Sequence, residues 1–586
     1  MLRDYMNQII SKYPFKTNFW FVSSLFLLFV LAMNYTKDNY GGTGLQSPFN
    51  WGVWLCAGAF ILVTICALMF RRRKIHIDAS IWLYLSVFVL LWIPLIYNNT
   101  DLLKQEQFVL SGLAISLIFY VCLRQHARGI NRQFVIGILL VSTTLQAVWG
   151  LIQFFLISEP SVLFFRPDIG RPFGVFQQVN VYSIYLGTGS LLAFYLAFFS
   201  SHSSNKFLQA LLLALVGMHQ YVLSLVGGNT SRVVVCIAIL IYGAIILYRR
   251  KTLWIVLWSA LAIAISYIPT PTIEQGETLG YALKIPDSAG TRPTIYSVAA
   301  ELIQQKPILG HGFGHVRRIY LEQQADYFAR NPEAGMEFHL NHVHNEPLQW
   351  FIQGGLVSFS AFLLLAGVWL RWLVNGDLSL PIFALSLPIL GQSMLEYPLY
   401  QASAMLFMLI VILALAYQPT GKAKHLPKKF KAVLLLVGIS IFSSIAYFVH
   451  AAQYELKTLQ AFERSKGKTI DQLLAIDNPK IFKTTIEYQG FRYKQEVAVA
   501  SGSMSQSLLD EYIAWAKTTL EHSPFEFVYE HLVTAYRIYR KDHLALQVAE
   551  EGSRLYPNNT YLRQDRDELR ALFKQNASQP VKSENQ

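Results

Sequence analysis

Long apolar runs separated by short polar stretches fill roughly the first 450 residues of the chain. A helix needs about 20 residues to cross the ~30 Å hydrocarbon core of a bilayer. Runs of this kind recur thirteen times, at residues 18–34, 50–70, 79–97, 107–123, 133–157, 180–200, 207–227, 232–248, 252–268, 348–370, 379–395, 402–417 and 433–449. The pattern predicts an all-α polytopic membrane protein with about thirteen transmembrane helices, whose two termini lie on opposite sides of the membrane.

Two regions depart from this pattern. Residues 269–347 are crowded with polar and titratable side chains and hold no membrane-spanning run. Residues 450–586 have the composition of a soluble domain. We therefore predict a transmembrane domain at residues 1–449, which includes the polar loop 269–347, and a separate domain at residues 450–586. A long polar loop in an apolar protein is typical of a segment that carries chemistry.

The C-terminal domain shows a weak internal repeat. Ala516 precedes Pro524 by eight residues, and Ala549 precedes Pro557 by the same eight, so that the two prolines lie thirty-three residues apart. This spacing is close to the 34-residue period of tetratricopeptide helix pairs. It predicts a helical, tetratricopeptide-like domain that either binds an acceptor or partner protein or packs as a cap on the membrane domain.

Composition and charge narrow the class of protein. Of the 586 residues only 15% are charged, below the ~25% of soluble domains. The four cysteines all lie in apolar runs without paired spacing, which indicates buried small residues and neither a disulfide framework nor a metal site. The net charge of +13 comes from basic residues in short loops, a pattern that reflects membrane topology and not nucleic-acid binding.

Lysine and arginine are concentrated in the loops that the predicted spans place on one side of the membrane. That set comprises Arg71-Arg72-Arg73-Lys74, Arg124, Arg128, Arg132, Lys206, Arg249-Arg250-Lys251, Arg371 and five lysines between Lys422 and Lys431. The short loops of the other set hold only Lys37, Lys104, Arg166 and Arg171, with Arg232 at a membrane edge. The positive-inside rule then predicts a cytoplasmic N-terminus and places the polar loop and the C-terminal domain on the side of the membrane that faces away from the cytoplasm.

A histidine-rich segment ends the polar loop. His342 and His344 precede Asn345, a residue suited to capping a helix, and Pro347 fits the first turn of a helix that begins near Leu348. The positive end of a helix attracts anions and keeps a neighbouring imidazole neutral. A neutral imidazole beside an anion site is what a general base requires.

Two alternatives remain for these histidines. His339, His342 and His344, with Glu337 and Glu346 nearby, could form a metal site. The spacing of two between His342 and His344 suits one metal on an extended segment but not on one helix face. The histidines could also be ordinary loop residues.

The glycine-rich stretch Gly310-His311-Gly312-Phe313-Gly314 resembles a phosphate-binding loop only superficially. It follows no predicted strand and opens no βαβ unit, and no nucleotide pool is expected on that side of the membrane. The glycines are better explained as turn formers.

Three arginines lie on the side of the histidines: Arg171, Arg232 at a membrane edge and Arg292 in the polar loop. An arginine at a membrane edge either snorkels to the interface or lines a polar cavity. The planar guanidinium matches phosphate oxygens with two parallel hydrogen bonds. Several such arginines beside apolar spans favour a lipid-linked phosphate or pyrophosphate as ligand.

The order of these motifs resembles the O-antigen ligase and polymerase superfamily. The resemblance rests on Ser231-Arg232, Arg292, Pro307-Ile308-Leu309-Gly310-His311-Gly312, His342-Val343-His344-Asn345, Leu348-Gln349 and Gly355. Within the superfamily the chain resembles more closely the protein-glycosylating branch, the bacterial O-linked oligosaccharyltransferases, including those that glycosylate type IV pilin. This resemblance implies a location in the bacterial inner membrane, with the polar loop and the C-terminal domain in the periplasm. This second similarity rests on His-x-His-Asn, on Arg171 followed by Gln178-x-Asn180, on Glu396-Tyr397-Pro398 and on the soluble C-terminal domain.

The resemblance implies a reaction and roles for individual residues. A preassembled glycan would move from undecaprenyl pyrophosphate to a serine or threonine of a periplasmic protein or pilin, with inversion and without a metal or nucleotide cofactor. The implied roles are His344 as general base, Arg232, Arg292 and Arg171 as pyrophosphate ligands, and His342, Gln178, Tyr397 and Asn345 as residues that orient donor or acceptor. Ligation to lipid A core, polymerisation of repeat units and transport of the lipid carrier are the alternatives.

Overall fold

The helices of the chain account for nearly all of its regular structure. The computed structural model describes residues 19–35, 37, 41–70, 75–97, 103–126, 131–157, 170–201, 203–268, 288–314, 316–338, 340, 342–418, 422–424, 428–500 and 506–578. Within these residues the only strands are β1 (Ile75–Ile77) and β2 (Lys422–Lys424), which pair antiparallel. The fold is therefore all-α, as the hydrophobic pattern predicts.

The helices of the apolar region, in chain order, are α1 (Phe19–Phe26), α2 (Phe49–Phe70), α3 (Ala79–Trp92), α4 (Leu103–His126), α5 (Arg132–Phe155), α6 (Val179–Phe199), α7 (Lys206–Val226), α8 (Asn229–Arg250) and α9 (Trp254–Ser266). They are followed by α10 (Ser288–Gln305), α11 (Val316–Arg330), α12 (Glu346–Asn375), α13 (Leu380–Phe383), α14 (Leu387–Ser393), α15 (Pro398–Gln401), α16 (Ser403–Ala416) and α17 (Lys428–Arg464). The C-terminal helices are α18 (Ile470–Leu474), α19 (Lys483–Ala500), α20 (Gln506–His522), α21 (Glu526–Ile538), α22 (Asp542–Leu555) and α23 (Thr560–Ser578).

Among the described residues, nine helices are long and apolar enough to cross a membrane. All nine fall on predicted spans, and the other four predicted spans fall on the shorter apolar segments Phe19–Asn34, Trp254–Ser266, Leu380–Ser393 and Ser403–Ala416. The protein is a polytopic membrane protein, and the total of thirteen crossings stays a prediction.

Helix α6 lies at the centre of the bundle. In an apolar stretch of 18 residues in this helix, 94% of the residues are buried. The helix packs against α5, α7 and α8. A helix that is apolar on every face can be buried on every face. The N-terminus of this central helix is therefore placed firmly, which matters because Asn180 lies in its first turn.

A buried ion pair anchors the opposite end of the bundle, where β1 and β2 pair. Arg124 donates from Nη2 to Asp78 Oδ2 over 2.6 Å and from Nη1 to the carbonyl of Ala414 over 2.7 Å. Asp78 also caps α3 by accepting from the backbone of Ser80. Each charge is compensated, as a buried charge must be. We call this the strand end, and the end where α8 and α12 begin the site end.

Helix α12 is broken at Gly355, whose φ of 61° and ψ of −155° are not helical. The backbone groups freed by the break bond to the glycine-rich stretch: Ile352 and Gln353 accept from the N–H groups of His311 and Gly312 over 2.7 and 2.9 Å. The N–H of Leu356 donates to the carbonyl of Pro307 over 2.8 Å. Broken backbone at membrane depth is tolerated when other protein groups satisfy it in this way. The glycine-rich stretch thus has a structural role, because it forms hydrogen bonds with the backbone groups that the break leaves free.

The predicted polar loop contains two helices, α10 and α11, in its described part. One side of α10 packs with α11 and α12 around Val298, Leu302, Tyr320 and Val343. The loop is therefore a folded layer on the site end of the bundle, because the periodic apolar positions of α10 and α11 form a small core of their own.

Helix α17 joins the membrane domain to the C-terminal domain. It has 37 residues and runs from Lys428 to Arg464, so it crosses without a break the domain boundary predicted at residue 450. Beyond it, each helix from α20 to α23 packs against the next, and Ala516 and Ala549 are both fully buried. This arrangement agrees with the predicted helix-pair spacing, and the tetratricopeptide-like class stays a prediction.

Orientation can be tested by fusing alkaline phosphatase to the chain. After Lys468, in the turn that follows α17, the fusion is expected to be active, because the enzyme forms its disulfides only in an oxidising compartment. After Lys424, in β2, the fusion is expected to be inactive. The reverse pattern in the activity assay would invert the predicted topology.

Gly355→Ala is expected to destabilise the protein by roughly 3 kcal/mol or more. A Cβ at this position would collide with the backbone carbonyl of Ile308, and the positive φ of 61° disfavours any side chain. Gly367→Ala is the matched control, because it lies in the same helix and its Cβ would meet nothing within 4 Å. Thermal unfolding in detergent micelles should separate the two variants, and equal melting temperatures would contradict the role of the break.

Candidate active site

Glu396 lies at the centre of a polar cluster at the site end of the bundle. It is 5% exposed and sits in the turn between α14 and α15. Its Oε2 lies 2.7 Å from His344 Nδ1, and its Oε1 accepts from Arg292 Nη2 over 2.7 Å and from Asn180 Nδ2 over 3.3 Å. One carboxylate thus holds three side chains that are far apart in the sequence.

His344 is fixed by its backbone as well as by Glu396. Its φ of 54° is in the left-handed region, which a non-glycine residue adopts only where the surroundings enforce it. The next residue, Asn345, caps α12 by accepting from the N–H of Leu348 over 3.0 Å. The amide of Asn345 also donates to the carbonyl of Met394 over 2.9 Å, which ties the start of α12 to the turn that carries Glu396.

The contact with Glu396 determines which nitrogen of His344 can act as a base. An ionised carboxylate only accepts hydrogen bonds, so Nδ1 must carry the proton in this contact. Nε2 is then the nitrogen with the lone pair. A carboxylate that orients an imidazole also stabilises the imidazolium formed when the imidazole takes up a proton. The pair is suited to general-base catalysis.

Arg292 connects Glu396 to the N-terminus of α8. Its side chain is 11% exposed, and Nη1 donates to the hydroxyl of Thr230 over 3.3 Å. The N-cap of α8 is Gly228, which supplies no side-chain acceptor for the first N–H groups of the helix. Such an end attracts anions. Arg292 Nε has no hydrogen-bond partner among the described residues, so the guanidinium keeps a free donor.

Arg232 lies in the same turn of α8 as Thr230, but its contacts are with residues other than Glu396. Its Nη2 donates to the carbonyl of Ser224 over 3.4 Å, and its guanidinium lies 5.0 Å from the ring centroid of Tyr267. Its Nε, like that of Arg292, has no partner within the described part of the chain. The weak contacts leave this arginine able to bind an anion at the same helix end.

An aromatic group separates the two histidines. The ring of Tyr397 lies 5.0 Å from that of His342 and 5.4 Å from that of His344. Burial raises the pKa of the Tyr397 hydroxyl, which therefore stays protonated. His342 Nε2 lies 3.7 Å from Glu346 Oε1, too far for a hydrogen bond.

The two histidines thus face different carboxylates, Glu346 and Glu396. No group of three His, Cys, Asp or Glu residues suited to a metal ion occurs among the described residues. His339, the third histidine of the metal alternative, lies outside the described residues. The geometry of His342 and His344 favours separate roles over a shared set of metal ligands.

The remaining predicted residues, Gln178 and Arg171, make no contact with Glu396 among the described residues. Gln178 caps α6 by accepting from the N–H of Val181 over 2.9 Å. It is Asn180, two residues on, that reaches Glu396. Arg171 lies in the bend before α6, and no contact among the described residues joins it to Glu396 or His344.

Sequence reasoning assigned no role to Glu396, Asn180 or Thr230, although the first two lie in motifs that carry the family resemblance. The sequence nevertheless contains a signal that indicates a role for Glu396 in a site. It is a lone acid between two predicted apolar spans on the side of the arginines and histidines, where an unpaired charge is costly. The partners of such a charge are candidates for one site.

The fold and the cluster define a polytopic membrane protein in which a histidine, a carboxylate and an arginine are in contact at one end of the bundle. Residues 212–363 match the family model of the O-Antigen ligase, and residues 381–570 match that of the Virulence factor membrane-bound polymerase, C-terminal. Both matches support the superfamily predicted from the motifs, and with it a membrane enzyme of glycosyl transfer. A comparison with curated proteins gives no match. The contact between His344 and Glu396 joins the two matched segments.

Glu396→Gln is expected to lower the rate of glycosyl transfer on the order of 10²-fold or more. The neutral amide no longer fixes the proton on Nδ1 of His344 and no longer balances the charge of Arg292. Glu333→Gln, a change at an exposed position of the polar loop, is the matched control. Transfer can be followed with lipid-linked glycan in detergent, and a fully active Glu396→Gln variant would remove Glu396 from the site.

Proposed function

We propose that the protein is an O-oligosaccharyltransferase that moves a preassembled glycan from undecaprenyl pyrophosphate to a serine or threonine of a periplasmic or type IV pilin protein. The observation that carries this proposal is the shared carboxylate of Glu396, which contacts His344 on one oxygen and Arg292 on the other. A base and an anion ligand are thereby held side by side. These are the two groups that a hydroxyl acceptor and a pyrophosphate leaving group require.

The donor would lie with its pyrophosphate at the N-terminus of α8. This placement is supported by the first turn of α8, where Gly228 provides no side-chain cap, and by the Nε atoms of Arg232 and Arg292, which have no partner among the described residues. Both arginines would neutralise the charge that develops on the leaving group. Arg171 is a further candidate for this role, because it lies in the bend leading to α6 on the same side.

The reaction would be a single displacement. The acceptor hydroxyl gives its proton to Nε2 of His344 as its oxygen forms a bond to the anomeric carbon. The bond from that carbon to the pyrophosphate oxygen breaks, and undecaprenyl pyrophosphate leaves with the electron pair. Attack opposite to the leaving group inverts the anomeric centre. His342, Tyr397, Asn345 and Gln178 would orient the two substrates around this path.

A second candidate is polymerisation of lipid-linked repeat units or ligation to lipid A core. The match of residues 381–570 to a polymerase family favours it, since that segment includes Glu396 and the C-terminal helices. The donor and the base are the same in all these reactions, and only the acceptor differs. A transporter of the lipid carrier is less well supported, because the charged cluster lies at one end of the bundle and not along a path through it.

His344→Ala is expected to reduce transfer by about 10²–10⁴-fold, the usual contribution of a general base. The assay uses purified protein, synthetic undecaprenyl-pyrophosphate-linked glycan and a serine-containing pilin peptide, with lipid A core and unextended repeat units as competing acceptors. His450→Ala, at an exposed position of α17, is the matched control. Transfer is expected to persist in EDTA and to favour the peptide.

Three outcomes would contradict parts of this proposal. Chelator-sensitive transfer restored by one divalent ion would replace the base mechanism by a metal site. Preference for lipid A core or for repeat units would retain the chemistry and change the acceptor. Wild-type activity in both Arg232→Ala and Arg292→Ala, with Arg371→Ala as the exposed control, would exclude the pyrophosphate clamp.

A further inference from the structure

Helix α11 has two buried faces that serve different partners. Arg318, Leu321 and Ala325 recur at helical spacing on one face, and Leu321 and Ala325 belong to the core of the C-terminal domain. Val316, Tyr320 and Gln324 recur on another face, toward the segment that leads to His344. A helix buried on two faces transmits the position of one partner to the other, because packed side chains cannot shift independently.

Arg318 is the main polar connection on the first face. Its Nη2 donates to Glu551 Oε1 over 2.6 Å, and its Nη1 donates to the carbonyl of Leu520 over 2.9 Å. The hydroxyl of Tyr529 donates to the same oxygen of Glu551 over 2.9 Å. Arg318 also donates from Nε to Glu322 in its own helix over 2.6 Å. Its Nη1 also donates to the hydroxyl of Tyr529 over 3.5 Å, so the guanidinium contacts α20, α21 and α22 directly.

Aromatic contacts extend this interface beyond Arg318. Arg317 lies 4.0 Å above the ring of Phe525, a distance that favours cation–π attraction. Phe338, which follows α11, lies 5.5 Å from the ring of Tyr556. The C-terminal domain is thus held to the polar loop by charge, by rings and by a shared apolar core.

The second face of α11 holds the approach to His344. Gln324 is fully buried, and its Oε1 accepts from the N–H of Glu337 over 2.9 Å and from the hydroxyl of Tyr320 over 3.1 Å. Leu340 and Val343 pack with Tyr320 in one small core. The residue next to His344 is therefore positioned by the helix that Arg318 fixes from the other side.

We propose that Arg318 is a positioning residue, which acts through α11 to hold the segment carrying His344 in its catalytic geometry. The C-terminal domain is then part of the scaffold of the active site, in addition to any part it takes in binding an acceptor. This inference rests on the proposed function for its kinetic consequence. Its structural consequence does not depend on any activity: replacing Arg318 is expected to increase the amide hydrogen exchange of residues 331–345.

The two roles of the C-terminal domain predict different kinetics. A domain that only binds the acceptor affects the KM for the protein acceptor and leaves other acceptors unchanged. A domain that positions His344 affects kcat for every acceptor, including a short peptide that cannot reach the domain. Misplacement of a catalytic group by ~1 Å can cost on the order of 10²-fold in rate.

The test uses full-length protein in lipid nanodiscs. Arg318→Ala is expected to raise amide hydrogen exchange in residues 331–345 by roughly tenfold or more, because the local opening becomes easier. The kcat should fall on the order of 10²-fold with both a pilin protein and a short serine peptide. Arg318→Lys should recover part of the protection from exchange and part of the kcat. An ammonium keeps one contact with Glu551 but lacks the several directed donors of the guanidinium.

Arg570→Ala is the matched control, since Arg570 pairs with Glu550 in the same domain without touching α11. Tyr529→Phe removes one hydroxyl of the interface and serves if Arg318→Ala fails to fold. Unchanged exchange in residues 331–345, or a change confined to the KM for the protein acceptor, would overturn the proposal. If exchange rises but even the wild type transfers no glycan, the proposed function fails and the positioning role stands.

Discussion

The site depends on one buried carboxylate that must be neutralised. Glu396 lies between apolar helices, where an unpaired charge costs several kcal/mol. Arg292 and His344 satisfy its two oxygens, and Asn180 adds a third contact. The need to compensate this charge brings together segments more than two hundred residues apart. The same contact leaves Nε2 as the basic nitrogen of His344, so one interaction serves folding and, in the proposed reaction, proton transfer.

The broken helix α12 explains why the polar loop has a defined position. Its first turns carry Asn345 and Glu346 to the site, and its break at Gly355 leaves backbone groups that only another chain segment can satisfy. The glycine-rich stretch supplies them because Gly310 and Gly355 allow the two backbones to approach closely. The loop before the break and the helix after it are thereby joined by hydrogen bonds, and α10 and α11 are held above the bundle.

Much of this architecture could be predicted from local pattern. Apolar runs located the helices, Asn345 and Pro347 located the start of α12, and the glycines from Gly310 to Gly314 indicated turns, because each signal is a property of neighbouring residues. The partners of Glu396 could not be predicted, because they are set by tertiary packing between distant segments. For the same reason the capping role of Gln178 was missed, and the two buried faces of α11 could not be assigned to partners.

The uninterrupted helix α17 sets the distance between its apolar span and the C-terminal domain. Its 37 residues span about 55 Å at 1.5 Å per residue, of which the hydrocarbon core takes only ~30 Å. The remainder extends beyond the hydrocarbon core, and Leu473 and Phe482 of the C-terminal segment pack in one core with Ala452 and Leu456 of this helix. A rigid helix that is packed in this way fixes the distance between the apolar span and the start of the C-terminal domain.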